Sequence, residues 1–144
     1  MIDYIFVLAP LLGWLIAQTI KVVISLNKKD LRVKSFLSSG GFPSSHSAFT
    51  TALVTAVCIE YGIKSIYFAI VAVFCAIVLY DSLGVRKTTG DQTEAIQEIA
   101  KQAKVNLKTK ITKSEGHNAG EVLGGVVVGV VAGLALYSFA VGYF

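Results

Sequence analysis

Ile66-Tyr67-Phe68-Ala69-Ile70-Val71-Ala72-Val73-Phe74-Cys75-Ala76-Ile77-Val78-Leu79-Tyr80 is a run with no charged side chain, closed by Asp81-Ser82-Leu83. As a helix, residues 66–83 are roughly 27 Å long, close to the ~30 Å hydrocarbon core of a bilayer. Three more stretches share this character. One runs from about Tyr4 to Leu26 and contains Pro10 and Gly13, which membrane helices tolerate. One runs over 43–61 and is the weakest, because Ser44, Ser45, His46, Ser47, Thr50, Thr51 and Thr55 give it a polar face. The last covers 119–143. The reading is a single all-α membrane domain over 1–144, a four-helix bundle with spans at about 4–26, 43–61, 66–84 and 119–143.

Composition agrees. The 144 residues are 54% hydrophobic and 15% charged, against roughly 25% charged in soluble domains. The net charge is +4, but the basic residues sit beside apolar spans without interleaved aromatics, so the expected partner is a lipid bilayer and not nucleic acid. Cys58 and Cys75 lie inside apolar runs and read as small packing residues. The N-terminus has no basic region before its apolar run, so the first segment reads as a retained helix.

Four spans place the connections 27–42 and 85–118 on one side. Four basic residues lie in the first (Lys28, Lys29, Arg32, Lys34) and seven in the second (Arg86, Lys87, Lys101, Lys104, Lys108, Lys110, Lys113), which makes eleven of the thirteen Lys and Arg. The positive-inside rule makes that face cytoplasmic and both termini external. Within the second connection, Ala95, Ile96, Ile99, Ala100 and Ala103 fall at helical spacing, so Asp91 to Val105 reads as an amphipathic helix, on the cytoplasmic surface or as a solvated linker. In the last span, Gly116, Gly120 and Gly124 recur every four residues, as do Gly125, Gly129 and Gly133. Such spacing admits close helix approach, either inside the bundle or in a homodimer.

Both histidines stand at the start of an apolar span, at the basic boundary. Gly40-Gly41-Phe42-Pro43-Ser44-Ser45-His46-Ser47 joins flexible backbone, a proline at the expected first helical position, three serines and a histidine. A helix N-terminus with hydroxyl donors suits a phosphate oxygen, although one serine would serve as a plain cap. Gly116-His117-Asn118-Ala119-Gly120-Glu121 sets His117 and Glu121 four apart, on one helical face, where a carboxylate fixes an imidazole tautomer. Arg86 offers a planar fork for phosphate, and Asp81 is placed to pair with Arg86 or Lys87. Lys21, within the last turns of the first span, must snorkel or find an anion. His46, His117, Asp81 and Glu121 are conceivable metal ligands, but serines and cations suit phosphate, so no metal or other cofactor is expected.

Pro43-Ser44-Ser45-His46 resembles the Pro-Ser-Gly-His motif of type 2 phosphatidic acid phosphatases (PAP2), a superfamily that includes the vanadium haloperoxidases. Residues 116–125 resemble its last motif, a histidine followed four residues later by an acidic residue, valine and glycine. With Asp81-Ser82-Leu83-Gly84-Val85-Arg86, the set looks like the divergent branch of that superfamily, small membrane proteins, over nearly the whole chain. The resemblance implies a metal-independent lipid phosphate phosphatase acting through a phosphohistidine. His117 would be the nucleophile, Glu121 its orienting carboxylate and His46 the general acid. Ser44, Ser45, Arg86, Lys87 and either Lys21 or Lys34 would hold phosphate oxygens, with Gly41, Pro43, Gly116 and Asp81 supporting them. Implied substrates are phosphatidate, phosphatidylglycerophosphate or an isoprenyl phosphate in a bacterial plasma membrane. The chain lacks the family's first motif and carries glutamate where the family has aspartate. A non-catalytic binder or carrier of lipid phosphates, and a structural membrane subunit, are the other readings.

Overall fold

The computed structural model describes residues 4–27, 41–105 and 116–142. All regular structure among them is helical: α1 Ile5–Asn27, α2 Ser45–Tyr61, α3 Ile66–Leu83, α4 Val85–Gln102 and α5 Ala119–Gly142. Three stretches are long and apolar enough to cross a membrane: Ile5–Leu26, the apolar part of Ile66–Gln102, and Ala119–Ala140.

The 17-residue α2 is the shortest helix and the most central. It packs on α1, α3 and α5, while α1 also packs on α5. This position explains its composition. Ser45, Ser47, Thr50 and Thr51 are buried, and a buried hydroxyl needs a partner. Thr50 Oγ1 donates to the His46 carbonyl at 3.0 Å and Thr55 Oγ1 to the Thr51 carbonyl at 2.9 Å. Cys75 Sγ donates to Thr50 Oγ1 at 3.4 Å, so this cysteine packs against α2.

Close approach is built from small residues. Ala9, Ala17, Ala48, Ala52, Ala56 and Ala132 are fully buried. On α5, a Cβ at Gly129 would lie 2.6 Å from the Ala48 carbonyl oxygen, and one at Gly133 would lie 2.7 Å from Thr55 Cβ. Gly125 abuts the Ser44 carbonyl in the same way. The second glycine row of the last span is therefore filled by α2, inside the bundle. Away from this seam the helices present Leu8, Leu11, Leu15, Ile70, Val73, Ile77, Val127 and Val131 outward, as a lipid-facing surface requires.

Two boundaries differ from expectation. Pro43 does not open α2. Ser44 is the N-cap, with extended backbone, and Pro43 precedes it after a cis Phe42–Pro43 peptide. The amphipathic helix begins at Val85, not Asp91, and follows α3 across the single residue Gly84. The Arg86–Lys87 segment expected to be a loop is thus the first turn of α4. Thr88 and Thr89 hydroxyls bond back to the Gly84 and Val85 carbonyls, so each threonine's polar group is satisfied within the helix.

Candidate active site

The last turns of α1, the start of α2, the end of α3 and the start of α5 meet at one end of the bundle. The Ser44 N–H donates to the Glu121 carbonyl at 2.8 Å, and the His117 N–H donates to the Ser82 carbonyl at 3.1 Å. These backbone bonds pin both histidine segments to the same place. Gly116 makes the second contact possible: a Cβ there would lie 2.5 Å from Lys87 Cα and N. The chain thus passes directly over the α3–α4 junction before delivering His117.

His117 is 1% exposed. Its Nδ1 lies 2.9 Å from Glu121 Oε2. The same oxygen accepts the Asn118 N–H at 3.2 Å, and Asn118 Oδ1 accepts the Glu121 N–H at 2.9 Å. Asn118 and Glu121 therefore form a reciprocal capping box at the start of α5. One carboxylate closes the helix and fixes the imidazole. The His117–Glu121 pair is visible in the sequence. Asn118 is missed there, although Asn-x-x-Glu before an apolar run is a recognisable cap signature. His117 Nε2 is buried and has no hydrogen-bond partner among the described residues. Burial holds the His117 pKa below its ordinary 6.5, with the Glu121 hydrogen bond opposing that shift and the Lys21 charge adding to it. The ring is therefore neutral near pH 7, and the Glu121 carboxylate favours the tautomer with the proton on Nδ1 and the lone pair on Nε2.

Two cations, Lys21 and Arg86, act on this ring through their charge. Lys21 is 6% exposed, and its Nζ reaches Ser45 Oγ at 3.3 Å. The Glu121 carboxylate acts on the same ammonium, which offsets part of the cost of burying it. Arg86 Nε bonds Asp81 Oδ2 at 2.7 Å in a half-exposed pair. Its charge bears on both His117 and His46. His46, on the exposed side of the first turn of α2, is close enough to feel the charges of His117, Lys21, Arg86 and Asp81. Among the described residues the structure thus gathers His117, Glu121, His46, Ser45, Lys21, Arg86 and Asp81.

The remaining expected site residues take other positions. Ser44 is fully buried and its Oγ accepts from Ser47 Oγ at 2.9 Å and Ser47 N–H at 3.4 Å, so its hydroxyl serves the cap. Lys87 has an exposed side chain, and its backbone underlies Gly116. Gly41 is exposed with φ +91°, a left-handed turn that glycine permits. Pro43 is buried beside the cap. Lys34 lies outside the described residues. Of the four conceivable metal ligands, Asp81 is bonded to Arg86 and Glu121 to His117.

The fold and composition define an all-helical integral membrane protein with a histidine pair at one end of its bundle. The chain belongs to the divergent PAP2 family, whose model matches residues 3–132. It is 34% identical over 147 residues to the uncharacterized membrane protein YuiD of Bacillus subtilis (strain 168), across 92% of this chain and 93% of that protein. No solved structure matches it.

Proposed function

We propose that the protein is a membrane lipid phosphatase that hydrolyses a phosphomonoester through a phosphohistidine at His117. The observation that carries this reading is the division of labour on one imidazole. Nδ1 is held by Glu121, while Nε2 is buried without a hydrogen-bond partner among the described residues, and the Lys21 and Arg86 charges act on the ring. Plain anion binding gains nothing from a carboxylate-oriented neutral histidine. A nucleophile needs that arrangement.

In the first step Nε2 attacks phosphorus and the P–O bond to the lipid breaks. The leaving alkoxide takes a proton from His46. Lys21, Ser45 and the Arg86 guanidinium stabilise charge on the phosphoryl oxygens, a task that needs preorganised donors more than covalent chemistry. In the second step a water gives its proton to His46 and attacks the phosphohistidine. Inorganic phosphate leaves and His117 is restored.

Phosphatidate, phosphatidylglycerophosphate and isoprenyl phosphates present the required monoester at a membrane boundary. The experiment is phosphate release by purified protein from that panel, with chelator present, beside His117→Ala and His46→Ala. One lipid should be hydrolysed, and both substitutions should abolish release. Binding of lipid phosphate without release from any member would replace this reading with a non-catalytic carrier.

A further inference from the structure

A cavity of about 370 Å³ opens beside His46, at the histidine end of the bundle. Trp14 of α1, Phe49 of α2, and Phe74 and Val78 of α3 line it, with Ser45 and His46 at its site end. It exists because α1 and α3 both pack on α2 but not on each other, which leaves a cleft floored by α2. Its direction is legible from the helices. Val78 and Phe74 lie four and eight residues before Ser82, whose carbonyl holds the His117 backbone. At 1.5 Å per residue they sit roughly 6 and 12 Å from the site towards the middle of α3. Trp14 lies seven residues before Lys21, roughly 10 Å in the same sense.

We infer that this cleft seats one hydrocarbon chain of a lipid phosphate, which enters sideways from the leaflet between α1 and α3 while its phosphate lies at the histidine pair. The inference rests on the phosphatase reading for the fate of the head group, and on the cavity for the chain. A lipid of that leaflet already has its head at the boundary and its chain pointing to the midplane, the same vector as the cleft. The volume lies at the small end of ligand pockets, ~300–1,000 Å³, which suits one chain and leaves any second chain in the bilayer. Lipid tails are as apolar as these walls, so entry exchanges one apolar contact for another. Selection along the cleft is then by shape, and the head group supplies the affinity.

Trp14 is the only tryptophan in the chain, so its fluorescence reports on the cleft. The protein is reconstituted in phosphatidylcholine vesicles and titrated with chain-brominated phosphatidate, and separately with chain-brominated phosphatidylcholine at equal mole fraction. The expected result is saturable quenching by the phosphatidate in excess of the phosphatidylcholine reference. Val78→Phe, which fills the cleft, should reduce that excess and lower the ratio of long-chain to short-chain phosphate release about tenfold or more. Equal quenching by the two lipids would overturn the inference, even if phosphate is released. Excess quenching without release would sustain the cleft and sink the phosphatase reading.

Discussion

Glu121 has one more methylene than an aspartate, and its position requires the reach. Its carboxylate must return to the Asn118 N–H while also meeting His117 Nδ1. Glu121→Asp is therefore expected to lose one of these bonds and lower turnover, while Asn118→Ala should remove the cap and destabilise the protein by about 1 kcal/mol. Thermal unfolding of the two variants separates the effects, because the aspartate keeps its charge and the alanine keeps the carboxylate. The pH dependence follows from His117. Its folded pKa lies below 6.5, so on acidification the unfolded state takes up a proton first. The contribution of neutral His117 to stability is full above pH 6.5 and is lost as pH falls through the lower folded value. The acid limb of kcat/KM should likewise fall below 6.5, and Glu121→Gln, which removes a charge that raises the pKa, should move that limb lower still. An acid limb above 6.5 would assign it to another group.

Among the helices, the glycine rows and the serine-rich α2 decide how the bundle closes. A four-residue glycine period tells that a helix comes close but not which helix. The structure supplies α2 as the neighbour of Gly125, Gly129 and Gly133. Gly129→Leu is expected to overpack this seam and lower the unfolding temperature, because the nearest atom is backbone, the Ala48 carbonyl, and cannot rotate away. Leu134→Ala, on the exposed face of α5, should change the unfolding temperature little. The helices of the apolar runs are legible in the sequence because hydropathy and length decide them. The start of α4 is not, because Val85-Arg86-Lys87-Thr88-Thr89-Gly90 is polar and β-branched, and its threonines satisfy themselves by bonding back to carbonyls one turn earlier. The place of Pro43 is not legible either. Proline is compatible with both the residue before a cap and the first helical position, and Ser44 decides between them only through its bond to Ser47. The histidine–glutamate pair follows from spacing alone. The action of the Lys21 and Arg86 charges on it does not, since that depends on how α1 and the α3–α4 junction sit around α2.

For the whole molecule, the candidate site residues lie at one end of the bundle among the described residues, and Glu60 with Tyr137 ties the other, where Tyr137 Oη donates to Glu60 at 2.7 Å. Eleven of the thirteen basic residues fall in the connections at the histidine end, so the positive-inside rule predicts a cytoplasmic position for that end. A cysteine at Thr88, in a background without Cys58 and Cys75, should react with an impermeant thiol reagent only after cells are opened, and one at Ile63 should react in intact cells. The reverse pattern would put the site outside. The phosphatase reading stands or falls on phosphorylation of His117 during turnover, which is measured by quenching the reaction in alkali with labelled lipid phosphate and mapping the label. Acid-labile phosphate is expected on the peptide containing His117 and none in His117→Ala, which should also release no phosphate. Sustained release by His117→Ala, or turnover with the label absent from that peptide, would refute the mechanism.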